Sequence, residues 1–244
     1  MTVVVALLVA APSAPLALAL AWTAPGLRRH VVALAPWAAV PALVLALTPW
    51  LSGAPLPAGE APVLGGLRLG IDATGHPFLL LTAILWVAAG AFARSYHSGD
   101  RERDSFFVLF LLTMAGNVGL VLAGGIVSFY TFFVLMTFAA WGLVVHDRTR
   151  AAFRAGRVYI IMTVLADIAI LVALFALSGG DGGAPGFGGE LDAAWAGLGG
   201  SGLGARLTAA LVVIGFGVKA GLLPLHLWVP PAYTEAPPSA SALL

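Results

Sequence analysis

The sequence predicts an all-α integral membrane protein of about seven transmembrane helices, with its amino terminus outside the cytoplasm, its carboxyl terminus inside, and its seventh helix broken. Composition, run length and the placement of the basic residues carry this prediction. Hydrophobic residues occupy 60% of the 244 positions and charged residues 9%, with a mean hydropathy of +0.99. A soluble domain carries about 25% charged residues, so this chain could not keep its surface wet. The apolar residues come in runs of about 20, the length that crosses a ~30 Å hydrocarbon core as helix. Lipid offers no partner to backbone polar groups, so such runs must be helical.

The predicted spans are, in order, Val3–Trp22, Val31–Leu51, Pro77–Ala93, Ser105–Gly124, Ile126–Val145, Val158–Leu177 and Leu207–Trp228. The first lacks the charged leading segment of a signal peptide and is read as a retained span. Between the second and third, Ser52–Gly75 is rich in glycine and proline and alternates in GLRLGID, which predicts a short extramembrane hairpin. Gly179–Gly204 reads as a glycine-rich external connection and lacks the GK[ST] ending of a phosphate-binding loop. Numbering the loops alternately puts Arg28, Arg29, Arg94, Arg101, Arg103, Arg148, Arg150, Arg154 and Arg157 on one side and only Arg68 and Arg206 on the other. That asymmetry sets the orientation and supports the count of seven. The expected location is the inner (plasma) membrane.

Several classes of function are excluded. With no cysteine there is no disulfide, iron–sulfur ligation or thiol catalysis. The histidines (His30, His76, His97, His146, His226) show no helical ligand spacing, so neither a metal site nor a haem or other cofactor is expected. A net charge of +1 gives no reason to expect nucleic acid. No nucleophile–base constellation points to an active site, so no catalytic residue is assigned.

What stands out instead is charge at membrane depth. Asp167 lies mid-way along VYIIMTVLADIAILVALFAL, and Lys219 lies within LTAALVVIGFGVKAGLLPLHLW. Each costs several kcal/mol unless paired, neutralised or hydrated, so each is a candidate functional group, the alternative being a purely structural ion pair. Desolvation favours the neutral amine and a nearby carboxylate favours the ammonium. A lysine can therefore be switched between its two forms, which arginine cannot.

The seventh span is irregular: Gly215, Gly217 and Gly221 surround Lys219, and Pro224 and Pro230-Pro231 follow. Broken helices are a common way to build ion sites, while Gly217 and Gly221 also fit a small-xxx-small packing stripe. His226 follows Lys219 by seven residues, on roughly the same face of a continuous helix, and is the next candidate proton carrier. Asn117, mid-span in TMAGNVGLVLAGG, reads as a helix–helix hydrogen bond more readily than as a site.

The segment GFGVKAGLLPLHLWVPPAYTEAPPSASALL resembles the signature of the antiporter-like subunits of respiratory complex I. The same family includes multisubunit sodium/proton antiporters and membrane subunits of formate hydrogenlyase-type hydrogenases. The resemblance rests on Lys219, Pro224-Leu225-His226, Trp228, Pro230, Ala236-Pro237 and Ser241-Ala242-Leu243. More loosely, HDRTRAAFRAGRVYIIMTVLAD resembles the family's fifth loop and sixth span. The resemblance implies a single membrane domain: residues 1–96 as three leading helices, and 104–244 as most of the first antiporter-like repeat, cut before the eighth helix. It implies Lys219 as the central lysine of a proton half-channel, Asp167 tuning it and His226 on the way out.

The family usually carries a glutamate on its fifth span, and the aligned position here is Val134. The implied partners, alongside the lipid bilayer, are other membrane subunits; the remaining helices of the family's unit are expected either from a longer chain or from one of those partners. The expected function is proton or sodium translocation within a larger complex. The alternatives are a structural subunit that has lost conduction, and a membrane subunit for energy-coupled inorganic carbon uptake.

Overall fold

The computed structural model describes residues 2–52, 60–62, 66–97, 103–177 and 202–243. Apolar helices dominate it. The first is α1 (Thr2–Ala21), which carries Pro12 and Pro15 inside it. The second apolar run is divided into α2 (Arg28–Leu34), a 3₁₀ turn (Ala35–Ala39) and α3 (Val40–Ser52). Pro36 and Pro41 begin the two later pieces, where their missing N–H groups break the ladder of hydrogen bonds. The chain continues as α4 (Gly75–Tyr96), α5 (Arg103–Val121), α6 (Ile126–Val144), α7 (Arg150–Leu177) and α8 (Leu203–Lys219). Two short helices, α9 (Val229–Glu235) and α10 (Pro238–Ser241), end the described chain.

Among the described residues five segments are long and apolar enough to cross a membrane: Val3–Ala21, Pro25–Leu51, Gly75–Tyr96, Ile126–Val144 and Arg150–Leu177. Ser105–Val121 is a shorter apolar helix. The protein is thus an all-helical, multi-pass membrane protein. Its α7 starts eight residues earlier than the predicted span, because RAAFRAGR is as compatible with helix as the apolar run it precedes. Most of the predicted glycine-rich connection at Gly179–Gly204 lies outside the described residues.

The core forms around α5, which packs against α1, α4 and α6. Phe106, Phe107, Phe110, Leu111, Met114 and Val118 of this helix are wholly buried. The outer helices expose apolar side chains instead, such as Leu81, Ile84 and Leu85 on α4 and Ile161, Leu165, Ile168 and Val172 on α7. In water such surfaces would associate; facing hydrocarbon they are in their natural solvent.

Small residues set the closest approaches. A β-carbon on Gly90 of α4 would lie 2.8 Å from Pro36 Cα, so α4 leans directly on the proline break of the second run. A β-carbon on Gly116 of α5 would lie 2.7 Å from the backbone nitrogen of Met136 on α6. Backbone cannot rotate out of the way. Gly116→Leu is therefore expected to destabilise the bundle by about 3 kcal/mol or more, read as a lowered thermal unfolding midpoint in detergent. An unchanged midpoint would show that α5 and α6 are free to separate.

The predicted hairpin is present: β1 (Glu60–Pro62) pairs antiparallel with β2 (Arg68–Gly70). It closes one end of the bundle. Gly70 N donates to Leu122 O at 2.8 Å, Gly124 N donates to Arg68 O at 2.8 Å, and Arg68 N donates to Ser128 Oγ at 2.6 Å. The tight turn between α5 and α6 thus finds partners for backbone groups that lipid could not satisfy.

Candidate functional site

Three helices converge on Lys219. Its ammonium lies 2.8 Å from Asp167 Oδ1 on α7 and donates a hydrogen bond of 2.6 Å to Thr137 Oγ1 on α6. It also sits 4.3 Å from the centroid of the Phe133 ring, one turn before Thr137. Thr137 donates its own hydroxyl proton to Phe133 O at 3.0 Å, which leaves its oxygen free to accept from the lysine. The side chains of Asp167 and Lys219 are 4% and 14% exposed, so the pair is almost entirely withdrawn from the surface.

The packing that brings the charges together rests on Gly215, one turn before Lys219. A β-carbon there would lie 2.6 Å from Ile170 Cγ1 and 3.1 Å from Ala166 O. Without one, α8 approaches α7 closely enough for the lysine to reach Asp167. Gly217 and Gly221, read from sequence as a packing stripe, do other work. Gly217 lies under the returning chain, where a β-carbon would meet Leu225 Cδ1 at 3.2 Å.

Gly221 lies outside α8 with φ +64°, the left-handed conformation that favours glycine. Leu222 N donates to Gly217 O at 2.9 Å and Gly221 N to Val218 O at 3.1 Å. This is a Schellman ending, and it stops the helix immediately after the lysine. An ammonium in the last turn also faces the partial negative charge of that helix terminus.

The chain then leaves helical geometry until α9, through a cis peptide bond at Leu223–Pro224. The seven-residue spacing from Lys219 to His226 therefore does not put the two on one helix face. His226 lies in this returning segment, half-buried, with its Nδ1 enclosed and without a hydrogen-bond partner.

The segment is pinned by Trp228. Its indole donates to Val218 O at 2.6 Å, a second donor on the carbonyl that already accepts from Gly221 N. The Trp228 ring meets Tyr159 of α7 edge-on at 5.3 Å. Farther along, Ser239 Oγ of α10 lies 3.1 Å from Nε2 of buried His97, tying the end of the chain to α4.

Asn117 of α5 is occupied between helices. Its Oδ1 accepts from Trp86 Nε1 of α4 at 3.0 Å, and its Nδ2 donates to Met136 Sδ of α6 at 3.6 Å.

Thr137 and Phe133 are the contacts that sequence reasoning missed. A threonine in a membrane helix most often bonds its own backbone, as this one also does, so its identity carries little signal. The usable clue was position: Phe133 and Thr137 are four residues apart and share a helix face. Among the described residues no group of histidine, aspartate or glutamate side chains could hold a metal ion.

A sequence profile of the family described as NADH:quinone oxidoreductase/Mrp antiporter, transmembrane, matches residues 123–244, half of the chain. That stretch contains Thr137, Asp167 and Lys219. An uncharacterised protein of Mycobacterium tuberculosis is 34% identical over 183 residues, covering 74% of this chain and 27% of that protein. NADH-quinone oxidoreductase subunit N of Desulforudis audaxviator is 32% identical over 183 residues, covering 73% of this chain and 35% of its own length. A chain of the Mrp complex from Dietzia superposes with a TM-score of 0.76 at 22% identity, over 99% of this chain and 45% of that one. The chain thus spans about a quarter to a third of the curated relatives it matches and under half of the solved one. By this match it belongs to the antiporter-like membrane subunits of the NADH:quinone oxidoreductase and Mrp antiporter family.

Proposed function

We propose that this chain is part of a proton-translocating subunit of a larger complex in the plasma membrane, with Lys219 as the group that takes up and releases the proton. The observation that carries the proposal is the site itself: one ammonium, one carboxylate and one hydroxyl from three apolar helices, enclosed between them. Buried charge of this kind is rare in membranes and concentrates on ion and proton pathways. When Asp167 is close and ionised it holds the proton on Lys219; when that charge is withdrawn or neutralised, desolvation favours release. Thr137 gives the amine a fixed oxygen acceptor in either state, since the ammonium and the neutral amine both carry N–H groups to donate.

His226 stands beyond the end of α8 with one ring nitrogen unused, and is proposed as a later stop for the proton. On this reading α8 and the segment after it form the broken seventh span. The arginine-rich ends of the helices face the cytoplasm.

The test is proton uptake into vesicles holding the assembled complex, followed with a pH-sensitive dye. Lys219→Ala is expected to reduce the initial rate to background while the complex still assembles. A rate equal to the unsubstituted complex would sink the proposal. It would favour the second reading, a structural subunit that keeps the fold without conducting. Val134, where the family's usual glutamate is absent, is the observation behind that reading.

A further inference from the structure

We propose that Arg28, Arg29 and Arg94 form a binding site for the phosphate of an anionic membrane phospholipid. The three side chains line one open cavity of about 690 Å³, whose remaining walls are Pro25, Gly26, Val32 and Ala33. The wall contains no carboxylate, and among the described residues none of the three arginines has an acidic partner. Three like charges converging on one space repel each other, and an anion placed there relieves the repulsion.

The arginines come from two separate parts of the fold. Arg28 and Arg29 follow the end of α1, while Arg94 lies in the last turn of α4. Arg28 is held in place: its Nε donates to Trp22 O at 3.3 Å, and its guanidinium lies 4.5 Å from the centroid of the Trp22 ring. Planar guanidinium groups match phosphate oxygens two at a time, and a partly fixed one loses less freedom on doing so.

The surroundings favour a lipid over an acidic protein. The cavity lies where two apolar spans, Val3–Ala21 and Gly75–Tyr96, end, and the ends of apolar spans are where lipid headgroups begin. Leu27, Leu34, Trp37 and Phe92 near it in sequence are all exposed, with Trp37 60% so. That is an apolar flank suited to acyl chains below the phosphate. The arginines of α7 make a useful contrast. Arg150, Arg154 and Arg157 also line one cavity, but all three come from a single helix and their cavity wall is otherwise Phe153.

The experiment is native mass spectrometry of the full chain in detergent, titrated with phosphatidylglycerol or phosphatidylcholine of identical acyl chains. The expected result is at least a tenfold preference for phosphatidylglycerol. The preference should fall to within twofold for Arg28→Gln/Arg29→Gln/Arg94→Gln and survive in Arg150→Gln/Arg154→Gln/Arg157→Gln. Unchanged circular dichroism and elution volume establish that both variants fold. If the first variant misfolds, the single changes Arg29→Gln and Arg94→Gln are each expected to weaken the preference by threefold or more. Equal loss in both triple variants would reduce the effect to net charge and overturn the proposal. So would displacement of the lipid by an equal concentration of inorganic phosphate. Copurification from membranes of an acidic protein that is lost in the first variant, with no enrichment of phosphatidylglycerol, would also overturn it.

Discussion

Lys219→Arg is expected to stop proton translocation as completely as Lys219→Ala, while leaving the bundle more stable than the alanine variant. The two substitutions separate charge from proton exchange. A guanidinium can still meet the Asp167 carboxylate, so the ion pair that joins α7 to α8 is kept in kind. It does not give up its proton in a protein, so the switching step is lost. In dye measurements on the assembled complex both variants should fall to background, a loss of at least about a hundredfold if the step is obligatory. Thermal unfolding in detergent should place the arginine variant nearer the original protein. Translocation near the original rate in Lys219→Arg would mean that the site needs only a fixed positive charge, and the lysine would then be a gate or an anchor.

The second large effect concerns the carboxylate. Asp167→Leu leaves the Lys219 ammonium enclosed against Thr137 and the Phe133 ring with no counter-charge. Breaking a buried pair from one side costs about 3–5 kcal/mol, mainly because of the uncompensated charge. Removing both charges, as Asp167→Leu with Lys219→Met, is expected to recover most of that loss, because a well-packed apolar pair of similar volume is a good substitute. The measurement is a double-mutant cycle on unfolding midpoints, with a coupling of about 2 kcal/mol or more expected for groups in contact. Strict additivity would show that the two residues do not interact in the folded protein, and the site as described would fall with it.

Much of this arrangement is legible in the sequence. Apolar run length predicts seven spans, and among the described residues five of those runs are segments long and apolar enough to cross a membrane. The run at Ser105 is a shorter apolar helix, and the seventh ends early, at Lys219. The alternation in GLRLGID places β2, and the depth of Asp167 and Lys219 within their runs singles them out. What sequence could not give is how the seventh run ends. Lys219 and His226 read as neighbours on one face only if the helix continues, and Gly221 at φ +64° ends it between them. The same turn takes Gly221 out of any packing stripe, and Gly215 is the residue that meets α7.

Thr137 went unnoticed for a related reason. The resemblance drew attention to Val134, one turn earlier, whereas the hydroxyl that meets the amine belongs to an ordinary-looking threonine. Backbone handedness and the meeting of side chains from separate helices are tertiary facts, and no periodicity encodes them.

Lys219 is also the one lysine in these 244 residues; every other cationic side chain is an arginine. Its enclosure therefore makes it a chemical gauge of its own surroundings. An acylating reagent selective for neutral amines has a single side-chain target in this chain. The rate of its acylation would report how often the space between Thr137 and Asp167 opens to a small molecule. Followed during turnover, that rate would time the site's opening without adding a probe to the protein.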